Sequence, residues 1–98
     1  MPDSMIVVFL YPTQPPAVFV ASRAQLIERA RDLAAQTDTH PGASAPLNFD
    51  KAWTVLSRDT KAAHHFPDIA LARHHIQSDP RLTHHERTTV LSALGRLE

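Results

Sequence analysis

Two short apolar runs open the chain and predict a β-hairpin. The runs are Met5–Tyr11 and Ala17–Ala21, which are rich in β-branched and aromatic residues and are divided by the turn Pro12–Pro16. Neither run alternates apolar with polar positions, so both faces of the two strands need cover. The helices of one chain cover one face easily and both with difficulty. Because a two-stranded unit also has exposed edges, a homodimer joined through these N-terminal strands is one arrangement that the pattern allows.

After the hairpin the apolar spacing changes to the period of a helix. Ser22 and Gln25 form a predicted capping box in front of a first helix, which is expected to end near Gln36. The segment Thr37–Leu47 is rich in residues that interrupt regular structure and is therefore predicted to be a loop.

The second predicted helix has the clearest apolar stripe of the chain. Asn48 is expected to cap it, and apolar side chains then follow at the i, i+3, i+4, i+7 spacing. These side chains are Phe49, Ala52, Trp53 and Leu56. The indole of Trp53 is therefore predicted to be the largest single block of the core.

Prolines separate the last helices. Pro67 ends the second helix or opens the third, and Asp79-Pro80 ends the third. Thr83 and Glu86 form another capping box before a fourth helix. Together the pattern predicts one α+β domain over residues 1–98, in which a β-hairpin of about residues 5–21 is followed by three to four helices packed on it.

Composition and charge narrow the class of protein. The 98 residues include ten basic and ten acidic side chains, no cysteine and two glycines. Because there is no basic excess, nucleic acid is not expected as a partner, and DNA binding is kept only as a further alternative. The apolar run Met5–Leu10 is too short to cross a bilayer, so no membrane association is expected. The lack of cysteine fits a reducing compartment, and a cytoplasmic protein is expected.

Six of the seven histidines form three doublets at ten-residue intervals, His64-His65, His74-His75 and His84-His85. On the predicted helices the first two doublets lie near C-termini, where imidazoles can bond free carbonyls and where a protonated ring is favoured by the helix dipole. The third doublet opens the fourth helix. Placement at helix ends is therefore the leading explanation of the doublets.

The alternative is that the six histidines bind Zn or Ni, or respond to pH. Adjacent residues on a helix point 100° apart, and the helical metal-binding spacing His-x-x-x-His is absent. Only a fold that brings separate helices together could then assemble a site. The carboxylates nearest to the doublets are Asp59, Asp68, Asp79 and Glu86, which are candidate co-ligands. Seven imidazoles would also make the chain strongly cationic near pH 5.

Enzymatic activity is not expected. The sequence has no Gly-x-Ser-x-Gly, P-loop, Gly-x-Gly-x-x-Gly or His-Glu-x-x-His motif. Candidate histidine bases have carboxylates and hydroxyls near them in sequence, but no spacing singles one out. We therefore expect no catalytic residues, and no cofactor unless the histidines bind metal.

The segment Asn48–Leu56 resembles the signature of barstar-like ribonuclease inhibitors, in which a helix carries Asn-Leu-Asp-x-x-Trp-Asp-x-Leu. Four residues match in register, and the order of strand and capped helix before the segment matches as well; the four are Asn48, Asp50, Trp53 and Leu56. The same helix is similar to the Asp-Lys-x-Trp helix of YfbM-like proteins of unknown function. Thr54 stands where the barstar-like pattern is acidic. The resemblance thus implies Asp50 alone as a partner-binding residue.

These observations lead to one functional expectation with two alternatives. We expect a small non-enzymatic protein-binding module, an inhibitor or immunity-type protein that acts by contact with another protein. The first alternative is a histidine-rich metal-binding or pH-responsive protein. A small DNA-binding regulator is the further alternative.

Overall fold

The computed structural model describes residues 4–37 and 47–97, and within them it has the expected α+β class, with four helices and three antiparallel strands where two were predicted. The strands are β1 (Ser4–Leu10), β2 (Ala17–Ser22) and β3 (Ala62–Phe66), and the helices are α1 (Arg23–Thr37), α2 (Phe49–Leu56), α3 (Ile69–Ser78) and α4 (His84–Leu97). The predicted hairpin is confirmed, because β1 pairs with β2 from Ser4 opposite Ser22 to Phe9 opposite Ala17. Most of the predicted loop Thr37–Leu47 lies outside the described residues.

Strand β1 is the centre of the sheet, whose strand order is β2-β1-β3, and both of its faces are buried. One face packs against α3 and α4 through Ile6, Val8 and Leu10. The other face packs against α1 and α2 through Met5, Val7 and Phe9. Helices of one chain therefore cover both faces of the central strand, which the sequence had suggested would be difficult. A homodimer stays a proposal, but cover for β1 no longer requires it.

The third strand corrects the predicted course of the second helix. Helix α2 ends at Leu56, and the backbone N–H of Ser57 bonds the carbonyl of Trp53 at 2.9 Å. After a short turn, the N–H of Lys61 donates to the carbonyl of Leu10 at 2.9 Å, and β3 begins to pair with the free edge of β1. The placement of His64-His65 at the end of a helix was therefore wrong. No helix dipole favours protonation of these two rings, because both residues lie on a strand.

The other helix boundaries agree with the capping predictions. In the first capping box the backbone N–H of Ser22 donates to Oε1 of Gln25 at 2.9 Å, and the backbone N–H of Gln25 donates to Oγ of Ser22 at 3.1 Å. At the second helix Asn48 Oδ1 accepts from the N–H of Lys51 at 2.8 Å. The remaining confirmed features are the capping box of Thr83 with Glu86, the break at Asp79-Pro80, His74-His75 in the last turns of α3, and His84-His85 at the start of α4. Asp68, which was not predicted as a cap, begins α3 by accepting from the N–H of Leu71 at 2.8 Å.

Within residues 4–37 and 47–97, none of the helices combines the length and the apolar character that a membrane span requires.

Candidate metal-binding site

Strand β3 separates the two members of the first histidine doublet. Successive side chains on a strand point to opposite faces of the sheet. His65 lies opposite Val7 on the α1/α2 side, and its ring meets the edge of Trp53 with centroids 5.0 Å apart. His64 lies opposite Val8 and turns to the side of α3 and α4. One member of the doublet thus joins an aromatic cluster, and the other is free to join a polar one.

Helix α3 brings a ring of the second doublet to His64. The ring centroids of His64 and His75 lie 4.8 Å apart, although the residues are eleven positions apart on different elements. Phe66 packs beside both rings, with centroid distances of 6.0 and 5.2 Å, and is itself part of the core. His74, the other member of this doublet, is exposed. The packing of α3 against the sheet therefore selects one ring from each doublet.

The carboxylate beside these rings belongs to Asp79, the C-cap of α3 and the only buried charged or polar side chain that the described residues contain. Its position on the chain, four residues after His75, places the two side chains on the same face of the helix end. Arg87 of α4 donates to the carbonyl of Asp79 at 2.8 Å and to that of Ile76 at 3.2 Å. These bonds satisfy two carbonyls at the end of α3 and fix the cap against α4.

The three side chains come close to the spacing that a metal ion needs. Nε2 of His64 and Nε2 of His75 lie 3.9 and 3.3 Å from Oδ2 of Asp79. One donor atom from each residue lies within 4.8 Å of the other two. Zinc with ligands at about 2.0–2.2 Å in a tetrahedron holds its donor atoms roughly 3.3–3.6 Å apart. These donor atoms could therefore hold a metal ion after shifts of about 1 Å in side chains that already converge.

The charges of the cluster favour the ligand forms of these groups. The hydrogen bond from the Arg81 guanidinium holds the pKa of Asp79 far below its ordinary value, although burial of the carboxyl opposes this. Burial lowers the pKa of His64, the charges of His75 and Arg81 lower it further, and the carboxylate of Asp79 partly opposes them. At neutral pH His64 is therefore a neutral imidazole and Asp79 an anion. These are the protonation states in which both groups bind metal.

One atom of the cluster lacks a hydrogen bond. Nε2 of His75 is buried and makes no hydrogen bond to any described residue, although the His75 side chain as a whole is 42% exposed. Nε2 of His75 lies 3.3 Å from Oδ2 of Asp79, but the two groups are not aligned for a hydrogen bond. A buried nitrogen left unbonded costs about 1–3 kcal/mol. A ligand placed between the two histidines and the carboxylate would remove this cost.

The other predicted site residues lie apart from this cluster. His65 packs on Trp53, and His84 and His85 are exposed at the start of α4. Asp50 is exposed in the first turn of α2, on the opposite side of the sheet. Of the candidate co-ligands, Asp68 caps α3 and Glu86 pairs with Lys61 at 2.7 Å. Asp79 alone among the four joins two histidines within the described residues.

The sequence contained one signal for this cluster that the search for paired histidines missed. His75-x-x-x-Asp79 has the i, i+4 spacing of helical metal ligands, with a carboxylate in place of a second imidazole. Arg81 was not singled out either, although it lies two residues after the carboxylate. The contribution of His64 had no local signal, because it comes from a strand that was assigned to a helix.

Comparison with known proteins gives no relative: no family model, no curated protein and no solved structure matches the chain. The resemblance of Asn48–Leu56 to barstar-like inhibitors therefore stays a prediction.

Proposed function

We propose that the protein binds one divalent transition-metal ion through His64, His75 and Asp79, with Zn or Ni as the ions to test first. The observation that supports this most is the convergence of one donor atom from each of the three residues within 4.8 Å. The three donors come from a strand, a helix and the cap of that helix, which the core and Arg87 hold in place. Such a site is preorganised, because the elements that position its ligands are packed before an ion arrives.

The chemistry of the donors favours a transition metal over calcium or magnesium. Imidazole nitrogen suits zinc, nickel, copper and iron, whereas calcium and magnesium take oxygen ligands. Two nitrogens and one carboxylate oxygen make three protein ligands, which leaves at least one coordination position for water or another molecule. The bound ion would join β3, the end of α3 and the segment that follows it. Metal binding is therefore expected to stabilise the folded chain.

The proposal is tested by titrating untagged, EDTA-treated protein with zinc in an isothermal calorimeter. We expect one ion per chain. His64→Gln and His75→Gln should each weaken binding on the order of 100-fold or more, because the loss of a group that merely supports a metal ligand already costs about 10–100-fold.

The histidine doublets supply matched controls. His65→Gln and His74→Gln remove a neighbouring imidazole that lies outside the cluster, and both variants should bind zinc as the wild type does. Binding of several ions, with unchanged affinity in His64→Gln and His75→Gln, would assign the metal to exposed histidines and contradict the proposal.

A protein-binding function, which the sequence favoured, is the second candidate. Its support is an open cavity of about 320 Å³ between the hairpin and the two helices α1 and α2, with Phe9, Tyr11 and Phe19 in its wall and Arg29 and Asp59 at its polar positions. The expected partner-binding residue, Asp50, is exposed on α2, on the same side of the sheet. Capture of a partner from lysate of the native host, lost in Asp50→Lys and retained in Asp32→Lys at an exposed position of α1, would support this function. Equal capture by both variants would contradict the role of Asp50.

A further inference from the structure

The guanidinium of Arg81 contacts two of the three side chains of the proposed metal site. Its Nη2 donates to Oδ2 of Asp79 at 2.9 Å and lies 3.2 Å from Nε2 of His64. Oδ2 of Asp79 and Nε2 of His64 are two of the atoms that would coordinate the metal ion. The cationic guanidinium therefore already contacts two of the three groups that would bind a metal cation.

The contact with Arg81 also determines which nitrogen of His64 carries the proton. A guanidinium has only N–H donors, so a hydrogen bond to it requires a ring nitrogen with a free lone pair. Nε2 of His64 is therefore the unprotonated nitrogen, and the proton lies on Nδ1. This is the tautomer in which Nε2 can bind metal. The lone pair that Arg81 holds is the one that a metal ion would use, so the two cations cannot share it.

The guanidinium can leave without disordering the carboxylate. The Arg81 side chain is 62% exposed, so rotation about its own bonds takes it into solvent. The backbone N–H of Arg81 donates to Oδ1 of Asp79 at 2.9 Å, and this bond does not depend on the guanidinium. Leu82, the next residue, is buried in the core and fixes the turn. Departure of the side chain thus frees Oδ2 while Oδ1 stays bonded.

We propose that Arg81 is a built-in competitor of the metal ion: its guanidinium closes the site when no metal is bound, and metal binds by displacing it. The inference depends on the proposed metal-binding function and adds a regulatory residue to it. The closed state keeps the buried carboxylate paired in the absence of metal. It also sets a threshold, because the ion must replace bonds that the protein has already made.

The test is a zinc titration of the wild type, Arg81→Gln and Arg81→Lys, with Arg58→Gln as the control. Arg58 is an exposed arginine of the α2–β3 turn, and its replacement removes the same charge from outside the cluster. Arg81→Gln should bind zinc about tenfold more tightly or more, since a hydrogen bond to a charged group contributes about that factor. Arg81→Lys keeps the charge without the forked geometry and should fall between the two. Arg58→Gln should match the wild type.

A second measurement follows Arg81 directly. In ¹⁵N NMR spectra of metal-free protein the Nε–H of Arg81 should be protected from exchange, because it donates to Asp79 Oδ1 at 3.1 Å. One equivalent of zinc should abolish this protection. Circular dichroism of each variant shows whether it is folded, and the NMR result on the wild type does not depend on any variant.

The outcomes separate this inference from the proposed function. Zinc binding by the wild type, with equal or weaker binding by Arg81→Gln or with Arg81 still protected in the zinc-bound protein, would overturn the competitor role and leave metal binding standing. Binding by Arg81→Gln alone would support the competitor role while showing that the natural chain holds the site closed. Absence of binding in both proteins would overturn both proposals.

Discussion

His64 and His65 are neighbours on one strand, yet their side chains lie in two different environments. His65 faces the aromatic rings of Trp53 and Phe49, with centroids at 5.0 and 5.5 Å. His64 faces His75 and the buried carboxylate of Asp79. The side of the sheet that packs on α1 and α2 therefore holds an aromatic cluster, whereas the side that packs on α3 and α4 holds an apolar core with a polar cluster at the end of α3. The same residue type at adjacent positions is a packing surface on one side and a candidate ligand on the other.

The second doublet repeats this division on a helix. His75 points to His64, whereas His74 is exposed and its carbonyl accepts from Ser78 Oγ at 2.8 Å. One ring of the first doublet meets one ring of the second, and in these two doublets the neighbouring ring is a natural control.

Replacing Trp53 in the aromatic cluster should cost more stability than any of the other changes proposed, and zinc should not alter that cost. Trp53 stacks on Phe9 with centroids 5.3 Å apart and packs against the core of the α1/α2 side. Trp53→Ala should lower the free energy of unfolding by about 3 kcal/mol, the lower end of the range for such replacements in a core, because Trp53 is only half-buried. Urea denaturation with and without zinc measures this change. If zinc stabilises the variant as much as the wild type, the two sides are independent; a lost zinc effect would show that they are coupled.

Zinc should stabilise the protein through one member of the second doublet. At a free zinc concentration of about 100 times Kd, binding to the folded state alone adds roughly 2.7 kcal/mol to the free energy of unfolding. We expect His75→Gln to lose this increment and His74→Gln to keep it. Thermal melts with zinc and with EDTA provide the measurement. Equal increments in the two variants would mean that the division between the rings has no bearing on metal binding.

Asp79 should matter to the metal-free protein as well. In Asp79→Asn the side-chain amide cannot accept from Arg81 at both positions, so one charge-assisted bond is replaced by a contact between donors. We expect a loss of about 1–2 kcal/mol in the free energy of unfolding, measured by urea denaturation in EDTA. Asp59→Asn, at an exposed position, should change it by less than about 0.5 kcal/mol. A smaller effect at Asp79 than at Asp59 would contradict the structural role of the cluster.

The pH dependence of stability should differ between the members of the first doublet. The pKa of His64 is lowered in the folded state from its ordinary 6.5, mainly by burial. The unfolded state therefore binds more protons as pH falls below about 6.5, so the stability that His64 contributes is present above that pH and is lost below it. The other groups that act on His64 are His75, Arg81, Asp79 and His65.

This prediction is checked by urea denaturation of metal-free protein between pH 8 and 5. His64→Gln should flatten the decline in stability on acidification, and His65→Gln, which leaves His64 in place, should keep it. An NMR titration in which His64 has a pKa above 6.5 would reverse the sign and contradict the prediction.

Local signals predicted much of the fold because they depend on residues a few positions apart. At the capping boxes of Ser22 and Thr83, and at the cap Asn48, the side chain of the cap residue accepts from the backbone N–H three residues along the chain. The unbroken apolar run of β1 indicated burial on both faces, and both faces are buried. Cover by helices of the same chain was harder to foresee, because it depends on how four helices divide between the two sides of a narrow sheet.

The third strand could not be found in this way. Ala62–Phe66 contains two alanines and two histidines, which have little strand preference. It also follows an amphipathic helix that was predicted to continue as far as Pro67. The segment becomes a strand because the free edge of β1 offers hydrogen bonds to it, beginning with Lys61 N–H to Leu10 O. That edge is some fifty residues away in sequence, so no local pattern reports it.

Local sequence was enough to locate the helix caps at Ser22, Asn48 and Thr83, to indicate that β1 is buried on both faces, and to show that six imidazoles occur in pairs. The tertiary structure alone decided which rings meet. A strand turns adjacent side chains to opposite faces, and a helix turns them about 100° apart, so a doublet sends its two rings in different directions. Only the pairing of β3 with β1 and the packing of α3 on the sheet bring His64, His75 and Asp79 together, because these contacts join residues that are distant along the chain.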